Sequence, residues 1–85
     1  MKEFTYTIKD PEGIHARPAG QVVAKAKEFE CHTILWADGN EYDLKKLLSV
    51  MGANVAKGDT VVIRTEGADE DKAEVALKKV FEDNL

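Results

Sequence analysis

Eighty-five residues make one domain, with room for a single modest core and none for a cleft that encloses a substrate, so a working site has to lie at the surface. A net charge of −4 with 7% aromatic residues offers neither the basic face of a nucleic-acid binder nor a membrane-binding surface. No apolar run reaches the length of a signal h-region or a membrane span, and the single cysteine, Cys31, excludes a disulfide framework; a soluble, unprocessed chain in a reducing cytoplasm is expected, with Cys31 as a small buried residue.

The first element is a strand, in which Phe4, Tyr6 and Ile8 alternate onto one face. Asp10-Pro11-Glu12-Gly13 reads as a turn. Beyond it Ala19, Val22, Val23, Ala26 and Phe29 recur at three- and four-residue spacing, one face of a helix that starts near His15. Pro18 helps fix that start, because proline fits only the first turn, where a backbone N–H has no intrahelical acceptor anyway. The unpaired N–H groups and the positive end of the helix dipole make an anion site, to which Arg17 adds a guanidinium fork matched to phosphate oxygens. The same field disfavours imidazolium and should keep His15 neutral and nucleophilic. A lone histidine at a helix start is more often a cap or a surface residue, and the company of Arg17 and Pro18 sets this one apart.

His32 to Ala37 and Asn40 to Asp43 flank Asp38-Gly39, a two-residue hairpin signal that makes the second and third strands antiparallel neighbours. Leu47 to Ala53 reads as a short helix, Thr60 to Thr65 as a fourth strand and Asp69 to Asp83 as a last helix, with Ala73, Ala76, Leu77, Val80 and Phe81 along one buried stripe. The order is βαββαβα. Its simplest packing is an α+β two-layer, open-faced sandwich over residues 1–85, with a four-stranded antiparallel sheet and three helices on one face. Lys45 to Met51 holds more apolar residues than a short helix can bury, and spacing alone leaves open which face solvent. Arg17, Lys25, Lys27, Lys45 and Lys46 could ring such a patch. His15, His32 and Cys31 form no recognisable ligand spacing, so neither a metal nor another cofactor is expected, and His32 reads as structural or exposed.

The segment Gly13-Ile14-His15-Ala16-Arg17-Pro18-Ala19, after one strand and one turn in a chain of this size, closely resembles the active-site segment of the HPr family, the histidine phosphocarriers of the bacterial sugar phosphotransferase system. Leu44-Lys45 before a short apolar helix, Ala56-Lys57-Gly58 before a strand and Gly67-Ala68-Asp69-Glu70 before the last helix also look like that family, so the likeness covers essentially the whole chain. The resemblance implies an HPr-like sandwich in which Nδ1 of His15 takes a phosphoryl group from phosphorylated enzyme I, itself charged from phosphoenolpyruvate. The group would pass to a histidine on the EIIA domains of sugar permeases. Such a protein is a carrier within a relay rather than an enzyme with its own small-molecule substrate. Arg17 would share the transfer with His15, and Ala16, Arg17 and Pro18 would shape the phosphate cradle. The partner surface would fall on Gly20, Lys27, Lys46, Leu47, Leu48 and Met51, in a monomer that neither binds nucleic acid nor inserts in a membrane.

Three departures from the family pattern stand out. Lys46 occupies the place where most relatives carry a serine phosphorylated by regulatory kinases, which excludes control through that hydroxyl; Ser49 is the nearest replacement. Lysine also cannot cap the following helix, and its charge opposes the dipole there. Met51-Gly52-Ala53-Asn54-Val55 differs from the usual Met-Ser-Leu-Gly arrangement, and Gly20 sits inside the first helix. The alternative function is an HPr-like regulatory module that docks on transcription factors or enzymes; such proteins often lack the histidine. An RNA recognition motif shares the βαββαβ order, but Trp36 with net negative charge is a poor match to its stacking aromatics and basic sheet face.

Overall fold

A computed structural model describes all of residues 1–85. In chain order the elements are β1 (Lys2–Thr7), α1 (Ala16–Ala26), β2 (His32–Ala37), β3 (Asn40–Asp43), α2 (Leu47–Gly52), β4 (Thr60–Glu66) and α3 (Glu70–Asn84). All strand pairs are antiparallel, in the order β1-β4-β2-β3. The alternation expected of half-buried strands is there: Val61, Ile63 and Thr65 of β4 and Thr33, Leu35 and Ala37 of β2 are buried, while their neighbours are not. The buried face carries the helices, and the other is left open, with Trp36 opposite Val62.

Sixteen residues form one continuous apolar core. Phe81 of α3 is fully buried, and its ring meets the edges of Phe4 at 6.1 Å and Tyr6 at 5.6 Å. Asp38 and Gly39 take φ values of 50° and 81°, the paired left-handed conformation of the tight hairpin their sequence announces.

Element ends depart from the sequence expectation by a few residues. α1 stops at Ala26 and leaves Phe29 outside, because the N–H groups of Glu28 and Phe29 bond three residues back, to Lys25 and Ala26, and this tighter winding closes the helix. α2 ends at Gly52 rather than Ala53, where the chain turns into the left-handed region at Asn54 (φ 53°). β4 extends to Glu66 by pairing with His32. Asp69 precedes α3 instead of opening it, and its carboxylate is spent elsewhere: Oδ2 accepts the Glu30 N–H and Oδ1 the Cys31 N–H, both at 2.9 Å.

Those bonds hold the Asp69 carboxyl below the usual carboxylate range. The stability that results is present at neutral pH, fades below the unfolded value of about 3.9, and is gone once pH has dropped through the lower folded value. Cys31 is buried as expected, at 3% exposure. Burial, with the neighbouring Asp69 carboxylate, pushes its thiol up to about 11. Native protein at mildly alkaline pH is therefore expected to resist an aromatic disulfide reagent that reacts at once with the unfolded chain; fast labelling of the native thiol would contradict this.

Candidate functional site

The turn before α1 is tied in three ways. Gly13 donates its N–H to the Asp10 carbonyl at 2.9 Å, the Glu12 N–H donates to Asp10 Oδ1 at 2.8 Å, and the Ile14 N–H donates to the Val55 carbonyl at 3.0 Å. Gly13 has φ 69°, and a Cβ there would run into the Val55 oxygen and come within 2.8 Å of Ala56 Cα. The segment after α2 thus fixes where the next residue, His15, begins the helix.

His15 is the N-cap of α1, with extended backbone (φ −108°, ψ −177°), and its side chain makes no capping hydrogen bond. Its carbonyl accepts the first intrahelical bond, from Ala19 at 2.9 Å. The N–H groups of Ala16 and Arg17 come before that donor and have no partner within the helix, and Pro18 has no N–H to offer. A serine or aspartate cap would consume one of these donors; the imidazole leaves both free. Arg17 is exposed and pairs with no carboxylate.

The sequence reading missed the neighbours of the ring. Nε2 of His15 lies 3.5 Å from Asp10 Oδ2 and 3.7 Å from Glu12 Oε2, with the imidazole 35% exposed. Negative charge here acts on the ring in the opposite sense to the helix terminus, so the one-sided field expected from α1 alone is corrected. The three-residue step from Glu12 to His15 was the available signal. The three side chains bring ligand atoms within 4.8 Å of one another, a spacing that one divalent ion can bridge, although exposed carboxylates commonly lie this close without one.

Around α2 the expected residues divide. Leu47 (42% exposed), Leu48 (85%) and Met51 (37%) face solvent, and Val50 alone of the helix is buried. Lys46 is the N-cap, with no side-chain capping bond. Lys45 is engaged: its ammonium donates to the Phe29 carbonyl at 2.6 Å. Ser49 is engaged too, its half-buried hydroxyl accepting the Asp43 N–H at 3.0 Å. Lys25 pairs with Glu28 at 3.1 Å. Lys27, the C-cap of α1, stands about 18 Å along the helix from His15 at 1.5 Å per residue. The larger concavity of the surface, ≈ 530 Å³ beside Tyr42, Asn54 and Asp59, does not include His15.

Gly20 is half-buried, and a Cβ at that position would meet no atom within 4 Å. Gly20→Ala is accordingly expected to raise stability by about 0.5–1 kcal/mol in chemical unfolding. A loss of stability would show that the helix needs glycine for itself.

The fold and this helix terminus together define an open-faced sandwich that presents a histidine beside free backbone donors. The chain belongs to the HPr family: residues 2–83 match the family described as "PTS HPr component phosphorylation site". It is 39% identical over 85 residues to the phosphocarrier protein HPr of Mycoplasma genitalium, covering 99% of this chain and 97% of that one. With the HPr of Lysinibacillus sphaericus it shares 43% over 77 residues, 91% and 88% of the two chains. Among solved structures, a mycoplasma histidine-containing phosphocarrier protein superposes with a TM-score of 0.95 at 30% identity, covering 96% of this chain and 93% of that one. An HPr from Thermoanaerobacter tengcongensis gives 0.93 at 34%, with 99% and 94% covered. No helix is long and apolar enough to cross a membrane.

Proposed function

We propose that this chain is a monomeric, single-domain cytoplasmic carrier that accepts a phosphoryl group on Nδ1 of His15 from phosphorylated enzyme I and delivers it to EIIA domains of sugar permeases. The observation that carries the reading is the idle cap: a histidine in the N-cap position whose side chain leaves the Ala16 and Arg17 N–H groups unclaimed. A phosphoryl group on the ring meets those donors, the helix dipole and the Arg17 guanidinium, which spread its charge as the bond to phosphorus forms and breaks. The carboxylates of Asp10 and Glu12 flank Nε2 and repel phosphate from that edge, which leaves Nδ1 as the nitrogen that attacks.

Leu47, Leu48 and Met51 would supply the apolar centre of the partner surface, with Lys46 at its border. Gly20 would allow close approach to the α1 backbone, and Lys27 would serve as an outlying positive charge. Basic residues around an apolar patch speed encounter with acidic partners more than they deepen affinity, which suits a carrier that must leave each partner quickly.

The test is incubation with phosphoenolpyruvate and a general enzyme I, followed by mass measurement. An acid-labile, base-stable gain of one phosphoryl group, then lost to an added EIIA domain, is expected. No uptake would reject the carrier reading in favour of a regulatory docking module.

A further inference from the structure

We propose that Asp10 and Glu12 are positioning residues that keep a proton on Nε2 of His15 throughout phosphoryl transfer, so that the group released on delivery is always neutral imidazole; this rests on the carrier reading above. The ring has two nitrogens, and which one bears the proton follows from what each edge faces. The Nε2 edge faces two carboxylate oxygens, at 3.5 and 3.7 Å. These distances exceed a direct N–H···O bond, so the carboxylates act through charge at close range. Asp10 is held for this purpose: its Oδ1 accepts the Glu12 N–H at 2.8 Å, while Oδ2 is the atom nearest the ring. It is also the less solvated of the two, with its side chain 23% exposed against 75% for Glu12, and so the less screened.

A proton fixed on Nε2 makes both half-reactions balance without proton movement on His15. In uptake the Nδ1 lone pair forms the bond to phosphorus as the bond to the donor nitrogen breaks, and that electron pair returns to the donor. The His15 ring becomes a phosphorylated cation that still carries Nε2–H, and its charge lies against Asp10 and Glu12. In delivery the Nδ1–P bond breaks, its electron pair returns to Nδ1, and the neutral Nε2–H ring is restored. Were Nε2 to lose its proton between the two steps, the departing group would be imidazolate, a far stronger base and a poor leaving group. The α1 terminus and Arg17 are positive and favour that loss. The Val55 and Ala56 backbone packed against Gly13 is itself uncharged, and the one carboxylate bound to it, Asp59, accepts the Ala56 N–H at 2.9 Å. The two carboxylates beside Nε2 oppose loss of the proton, adding to the negative charge of the phosphoryl group itself.

The experiment loads wild type, Asp10→Asn, Glu12→Gln and the double variant with phosphoramidate, which needs no partner protein. Asparagine keeps the oxygen that accepts the Glu12 N–H, so the turn is preserved. Nitrogen NMR reads the protonated ring nitrogen, and phosphorus NMR follows loss of the phosphoryl group to water across the pH range. Relative to wild type, the double variant is expected to lose phosphate about ten-fold more slowly at mildly alkaline pH, with the difference closing at mildly acidic pH where the ring is protonated in both. Asp10→Asn should account for more of the effect than Glu12→Gln. Superimposable pH profiles, or the same ring proton distribution in all four proteins, would overturn the proposal. Failure of wild type to take phosphate from enzyme I would instead sink the carrier reading, and the phosphoramidate-loaded rings would still report on Nε2.

Discussion

A His15→Asn protein is expected to take up no phosphoryl group and yet to be more stable than wild type, by about 0.5–1 kcal/mol. The imidazole occupies the N-cap of α1 without capping it, and histidine is not among the residues whose side chains satisfy that position well. Asparagine is among the best. Its amide oxygen can accept the Arg17 N–H, the one donor within its reach, because Pro18 in the following position has none. The gain in stability and the loss of function have the same cause: the donors that a good cap would satisfy are those the phosphoryl group would use. Urea unfolding and phosphoryl incorporation from enzyme I, run on the same preparation, check both halves. A fall in stability would mean that the imidazole supports the fold.

Gly13→Ala is expected to cost about 3 kcal/mol, from a left-handed backbone imposed on an L-residue and from steric overlap with a neighbouring chain segment. At position 13 the φ of 69° is one penalty; the methyl group then meets the Val55 carbonyl and Ala56 Cα. That same carbonyl accepts the Ile14 N–H, so relief of the overlap has to break the tie that sets the entry to α1. In a domain of this size the melting temperature should fall by about 12–24 °C, and phosphoryl uptake by what remains folded should slow because His15 is displaced. Gly39→Ala is the control. Gly39 has φ 81° but no atom within 4 Å of a new Cβ, so only the backbone penalty applies, and the smaller loss should leave uptake unchanged. Equal losses at the two positions would mean that the contact with Val55 contributes nothing.

Much of this architecture is legible in the residues because it is encoded locally. Asp38-Gly39 carries its own turn, alternation marks β2 and β4, and Pro18 with the spacing after it marks where α1 begins. The most specific part of the HPr resemblance is a contiguous seven-residue segment, which is why it could be found without a structure. What escaped is made by contacts across the chain. Asp69 reaches back to Glu30 and Cys31, and Lys45 spends its charge on the Phe29 carbonyl, so a lysine counted as a free surface cation is a strut. The carboxylates beside His15 escaped for another reason. Asp10 and Glu12 were read as turn formers, which they are, and only the conformation of that turn brings their second role into view.

The strand order has a consequence in time. β1 lies at an edge of the sheet and pairs only with β4; the hydroxyls of Thr7 and Thr60, 2.9 Å apart, are separated by 53 positions in the chain. The Gly13–Ile14 turn waits in the same way for Val55. A nascent chain emerging from the ribosome therefore presents the whole histidine motif long before Val55, which ties the entry to α1, and β4, which pairs with β1, have been made. Contacts of such long sequence separation place folding between the fast helical bundles and the slow all-β barrels.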